Sequence, residues 1–180
     1  VLVAHSYGGL IAELYARTYP GQVAGRVLVD VTNVFLKDTL PAEQLAILDA
    51  GVMAQNPNAP DAERLMIRDA MNAILVAPKP PRVPVFVLTA DKPPNLSPAT
   101  ETFMQKIVRA QGMLAQSLCA KQMRRTNSGH HIFAEQPQLV NDAVREVVEA
   151  ARKGCTSLPC EGVPPKADPS LGLAGCTHSR

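Results

Sequence analysis

Apolar residues along this chain fall into two alternating patterns. Short unbroken runs, Val1-Leu2-Val3, Val27-Leu28-Val29 and Val85-Phe86-Val87-Leu88, are separated by longer stretches whose apolar positions recur every three or four residues. Short runs rich in β-branched residues read as strands buried on both faces, and the longer stretches as amphipathic helices. Strands are expected at 1–4, 26–30 and 84–89, with a weaker fourth at 120–125. Helices are expected at 10–19, ended by Pro20-Gly21, at 99–118, and at 137–152, where Leu139, Val140, Ala143, Val147 and Ala150 share one face. Such alternation predicts an α/β fold, a parallel sheet with helices on both faces.

One stretch breaks the rhythm. Residues 32–82 carry helical patterns at 41–54 and 61–76, joined by the turn-rich 55–60 and closed by Pro78-Lys79-Pro80-Pro81, with Asp61 placed to cap the second helix. About fifty residues is far longer than the two to six of an ordinary strand-to-helix connection. The stretch reads as an inserted helical cap. Leu45, Leu48, Met53, Leu65, Met66, Ile67, Met71 and Leu75 would give it an adaptable apolar lining, although each serves equally as ordinary helix packing. The pattern defines one domain over 1–153, and the Pro- and Gly-containing remainder, 154–180, reads as a disordered tail.

Composition narrows the partners. The 180 residues are 46% hydrophobic and 19% charged with a net charge of +2, enough for one sizeable core and too little charge to argue for nucleic acid or an anionic membrane surface. No apolar run approaches the roughly 20 residues that a membrane-spanning helix needs. Of the four cysteines, Cys155, Cys160 and Cys176 lie in the tail and Cys119 before the fourth strand. Cys155 and Cys160 are spaced to close a small disulfide loop in an exported protein, or the thiols are free. The spacing is not that of a zinc knuckle, so no metal is expected. Compartment, cytoplasmic or exported, and oligomeric state stay open.

Candidate chemistry is concentrated at Ala4-His5-Ser6-Tyr7-Gly8-Gly9, between the first strand and the first helix. A serine at the tip of a strand-to-helix turn, with small residues two before and two after it, is the context of a nucleophile elbow. Taken alone the turn has a plainer reading, a tight connection with an idle serine. The distant Gly129-His130, after the fourth strand and before the last helix, weakens that reading, because nucleophile, acid and histidine would then follow in one recurring chain order.

In the order Ala-His-Ser-Tyr-Gly-Gly, Val-Leu-Val-Asp, Pro-Val-Phe-Val-Leu-Thr-Ala-Asp and Ser-Gly-His-His-Ile-Phe-Ala-Glu-Gln-Pro, the motifs over 1–153 resemble the C-terminal portion of the α/β-hydrolase fold superfamily, the serine esterases, lipases and cofactor-free haloperoxidases. The resemblance implies a partial α/β-hydrolase fold whose N-terminal strands precede this chain. The strand bearing Ser6 would then be an edge with unpaired backbone groups, an aggregation liability. It implies Ser6 as nucleophile, His130 as general base, with His131 a neighbour, and the backbone N–H of Tyr7 as one oxyanion donor. A second donor would come from an upstream loop, so the chain alone is expected to be close to inert.

The resemblance leaves the acid open. Family members usually carry it in a G-x-x-D pattern after the third strand of this portion, where Pro93 stands here. Asp91, two residues earlier, is one candidate. Asp30, at the end of the second strand, a position some lipases of this fold use, is the other. His5, next to the serine but expected to face the other side of the sheet, reads as structural. The implied activity is hydrolysis of an ester or similar small acyl substrate through an acyl-enzyme, without cofactor. The competing readings are an acyltransferase or perhydrolase using the same residues, and a non-catalytic binding module of the same fold.

Overall fold

The computed structural model describes residues 1–55, 67–92 and 98–159, with side chains at 51–55 and 98–101 excepted. Four parallel strands, β1 (Leu2–His5), β2 (Arg26–Val29), β3 (Val85–Leu88) and β4 (Lys121–Met123), lie side by side in sequence order. Seven helices accompany them among the described residues: α1 (Gly8–Thr18), α2 (Leu36–Thr39), α3 (Ala42–Gln55), α4 (Ile67–Val76), α5 (Pro98–Ser117), α6 (Ile132–Glu135) and α7 (Pro137–Arg152). A single turn of 3₁₀ helix, Pro20–Gln22, follows α1 where a proline cannot continue it.

Alternation along the two central strands feeds two cores. Val27, Val29, Phe86 and Leu88 pack with Ile132, Ala143, Val147 and Ala150 under α6 and α7. Leu28, Val85 and Val87, one residue out of step, pack with Ala12, Leu114 and Ala115 under α1 and α5. Every residue of β2 and β3 is therefore buried, which is why both strands read as unbroken apolar runs. Arg26 is the exception within β2. It is buried against Glu13 of α1, which also accepts from Arg17 at 2.8 Å, so an ion-paired carboxylate ties the helix to the sheet.

The described parts of the segment between β2 and β3 hold the helices α2, α3 and α4. Leu36, Leu40, Leu45, Ile67, Met71 and Ile74 form a third core against Leu10 of α1 and Ala110 of α5. Leu45, Ile67 and Met71 are thus consumed by helix packing, while Leu75 is exposed. Asp49 of α3 accepts the Ile67 N–H at 2.5 Å and Arg68 Nε at 3.1 Å, pinning α3 to the first residues of α4. Asp61, Leu65 and Met66 lie outside the described residues, and the Met53 side chain is likewise not described.

Two expectations change. The chain after α7 does not leave the domain at once, because Cys155 and Leu158 are buried in the first core. The free-thiol reading does not hold for Cys155, which is disulfide-bonded, as is Cys119, while Cys160, Cys176 and the rest of 160–180 lie outside the described residues. Among the described residues no helix is long and apolar enough to cross a membrane.

Candidate active site

The register of the sheet brings the site together. His5 is opposite Val29, so Ser6 and Asp30 follow side by side at the carboxyl ends of β1 and β2. Both leave their strands in the left-handed region, Ser6 at φ 53° and Asp30 at φ 43°. A non-glycine residue there costs of order 1–3 kcal/mol and persists only where its surroundings hold it. Ser6 is held by its N–H to Val29 O (3.3 Å) and by its carbonyl, which accepts from Gly9 N–H (3.0 Å) and Thr32 N–H (2.9 Å). Asp30 is held by its N–H to Leu88 O at 2.8 Å.

The small residue this turn requires is Gly9, rather than Gly8. A Cβ on Gly8 would meet Ala4 Cβ at 4.0 Å, an ordinary contact. On Gly9 it would lie 2.4 Å from Val31 Cβ and 2.8 Å from Thr32 O. The elbow is therefore closed against the loop after β2, not against its own strand.

The Asp30 carboxylate is almost fully buried and fully engaged. His130 Nδ1–H donates to Oδ2 at 2.6 Å, while Oδ1 accepts from Ala90 N–H at 3.0 Å and Gln111 Nε2 at 2.7 Å. Burial alone would push this carboxyl up, but the bonds from His130, Ala90 and Gln111 outweigh it and hold the group below the usual carboxylate range. An ionised acceptor on Nδ1 leaves Nε2 of His130 as the basic nitrogen, and the His130 side chain is 45% exposed.

Asp91 is placed differently. Its Oδ1 accepts from Thr126 Oγ1 (3.2 Å) and Ser128 N–H (3.1 Å), and its own N–H donates to Ser128 O (3.1 Å). It tethers the loop that carries His130 and is not bonded to the imidazole. No hydrogen bond joins Ser6 Oγ to His130 in this structure.

Tyr7 stands at the N-terminus of α1, where its N–H belongs to the electropositive end of an 11-residue helix. Its side chain packs on the third core. Burial, then the Asp49 and Asp69 carboxylates, raise its phenol above the ordinary value.

Comparison with known proteins adds one distant likeness. No family model matches this chain, and no curated protein does. In structure it is similar to a probable hydrolytic enzyme of Pseudomonas aeruginosa PAO1, at 18% identity and a TM-score of 0.45. The match covers 81% of this chain and 62% of that one, so the chain spans less than two thirds of the other protein's length.

Two residues of the site, Gln111 and Glu135, are not singled out in the sequence, and a third, His5, is placed otherwise than expected. Gln111 is wholly buried on α5, and its Oε1 has no partner, so its amide is committed to Asp30. A lone glutamine between Ala110 and Leu114 on an apolar helix stripe is the signal that points to it. Glu135 accepts the Gly129 N–H with both oxygens, at 3.2 and 3.1 Å, from within the short α6. His5, expected on the far side of the sheet, instead packs against His130, their ring centroids 4.5 Å apart. Among the described residues no group of three or more His, Cys, Asp or Glu is placed to hold a metal ion.

Proposed function

We propose that this chain carries the serine, histidine and aspartate of a hydrolase of the α/β-hydrolase superfamily, acting on an ester or similar small acyl substrate. The observation that supports this most is the 2.6 Å bond from His130 Nδ1 to a buried Asp30, at the sheet end where Ser6 is held in the left-handed elbow conformation. In this reading Ser6 Oγ attacks the acyl carbonyl and His130 Nε2 accepts its proton. Asp30 holds the tautomer and stabilises the imidazolium without itself being protonated. His130 then protonates the leaving alkoxide. Water, giving a proton to the same nitrogen, then attacks the ester carbon; the bond from that carbon to Ser6 Oγ breaks, the acid leaves, and His130 returns the proton to Ser6.

The Tyr7 N–H, aided by the α1 dipole, is the donor offered to the developing oxyanion, a kind of contact worth about 10²–10³ in rate. The helical segment between β2 and β3 is proposed as a cap over the site, and a small acyl compound as the partner.

Fluorophosphonate labelling with the modified peptide located by mass tests the reading. Label on Ser6 that disappears in Ser6→Ala supports it. A folded chain that takes no label overturns it for this chain. That Ser6 Oγ and His130 are not hydrogen-bonded favours one second reading, a non-catalytic module on the same scaffold, and the same unlabelled result would support that.

A further inference from the structure

The loop that bears His130 has little regular structure of its own between β4 and α6, yet it is bonded on several sides. Ser128 O accepts from the N–H groups of Asp91 and Lys92, at 3.1 and 3.0 Å, and Ser128 N–H is held by the Asp91 carboxylate. Gly129 N–H is held by Glu135. These anchors refer the loop to the β3 end and to α6. None of them refers it to β1, the strand that carries Ser6.

His5 supplies that link. Its Nε2 lies 2.8 Å from the carbonyl oxygen of His130. A carbonyl can only accept, so the proton is on Nε2 of His5. The bond thus runs from the residue immediately before Ser6 to the backbone of His130 itself, across 125 positions of sequence. The His5 ring also lies against the Phe133 and His131 rings, with centroids 4.9 and 5.6 Å apart.

We propose that His5 is a positioning residue, whose Nε2–H sets the His130 backbone at a fixed distance from the nucleophile strand. The inference deepens the hydrolase reading and rests on it for its catalytic consequence, while the geometric part stands alone.

The electrostatics suit the role. Burial lowers the His5 imidazole below its ordinary value, opposed by the bond to the His130 carbonyl. Positive charge on His130 or His131 lowers it further, and Asp30 works in the opposite direction. A neutral ring at His5 adds no like charge beside His130 when that residue takes a proton, and it still donates. A lysine or arginine in its place would bring a fixed charge close to the base.

The experiment compares His5→Phe, which keeps a ring but removes the donor, with His5→Gln, which keeps an N–H, in the full chain. Two readouts are taken, the rate of fluorophosphonate labelling at Ser6 and the low-field NMR resonance of the His130 Nδ1 proton. For His5→Phe we expect labelling slowed by at least tenfold, toward the ~10²-fold cost of about an ångström of misplacement. The Nδ1 resonance should broaden or shift, and His5→Gln should recover both. Phe133→Leu, which loses the ring contact only, should change neither. Should His5→Phe fail to fold, His5→Leu, likewise without a donor, takes its place. Unchanged labelling and an unchanged resonance in a folded donor-less variant would overturn the proposal. If the wild-type chain takes no label, the hydrolase reading fails, and the resonance alone then decides the role of His5.

Discussion

Asp30 and Asp91 occupy comparable places, each just past the end of a central strand, and their surroundings give them different work. Asp30 follows β2 directly, in a left-handed conformation, and its carboxylate is buried beneath three donors, one of them an imidazole. Asp91 lies two residues beyond Thr89, is exposed, and spends its carboxylate on Thr126 and a backbone N–H. One aspartate orients a ring, and the other anchors the loop that delivers it. Proximity to a strand end therefore does not decide which carboxylate meets the histidine. The direction of the chain on leaving the strand does, and at Asp30 that direction is set by φ.

The comparison breaks most sharply under Asp30→Asn and Asp91→Asn. Asparagine at 30 can present an N–H to the ring and favour the wrong tautomer, and by analogy with other serine-histidine-aspartate sites it should slow Ser6 labelling by about 10⁴-fold. Asp91→Asn keeps an oxygen for Thr126 and Ser128 and should cost no more than about tenfold, well short of the ~10²-fold of a misplaced base. A larger loss at position 91 than at 30 would reverse the assignment.

Backbone placement is tested next. Gly9→Ala should destabilise the fold by about 1–3 kcal/mol, because its Cβ has no room against the loop that leads away from Asp30, whereas Gly8→Ala should fall within about 0.5 kcal/mol of wild type. Equal denaturant midpoints for the two would place the close approach elsewhere.

The smallest effect is a pH signature. The folded Asp30 carboxyl titrates below its unfolded value, so the stability it contributes is present above the ordinary carboxylate pKa of about 3.9 and is lost as pH falls through the lower folded value. The stability gap between wild type and Asp30→Asn should therefore be constant near neutrality and close in acid. A gap at position 30 that widened on acidification would contradict the bonded, ionised carboxylate.

Much of this was legible in the chain beforehand, for definable reasons. The β2 and β3 runs and the helical faces of α1 and α7 follow from local periodicity, which burial on one or both sides enforces. The tight turn at Ser6 was legible because a strand-to-helix turn is a local object. The choice between Asp30 and Asp91 was not, because sequence spacing says nothing of where a loop 100 residues away comes to rest. Gln111 and His5 were hidden for the same reason, and each makes its decisive bond to a residue more than eighty positions away. Gly9 was passed over in favour of Gly8 because the wall that excludes a side chain belongs to another element, the loop after β2. The buried Cys155 and Leu158 show that a segment rich in loop residues can still close over a core.

The parallel pairing of β1 with β2 has a consequence for the order of assembly. Ser6 and Asp30 belong to a single strand-helix-strand unit, so one short chain closure puts them side by side. His130 arrives only after a far longer closure, since it bonds a residue 100 positions away, and it is retained by a few loop bonds rather than by a sheet ladder. Such a loop opens before the sheet does. The first step of denaturation should then withdraw the imidazole from an otherwise intact pair, and reactivity should disappear at a lower temperature than the sheet itself.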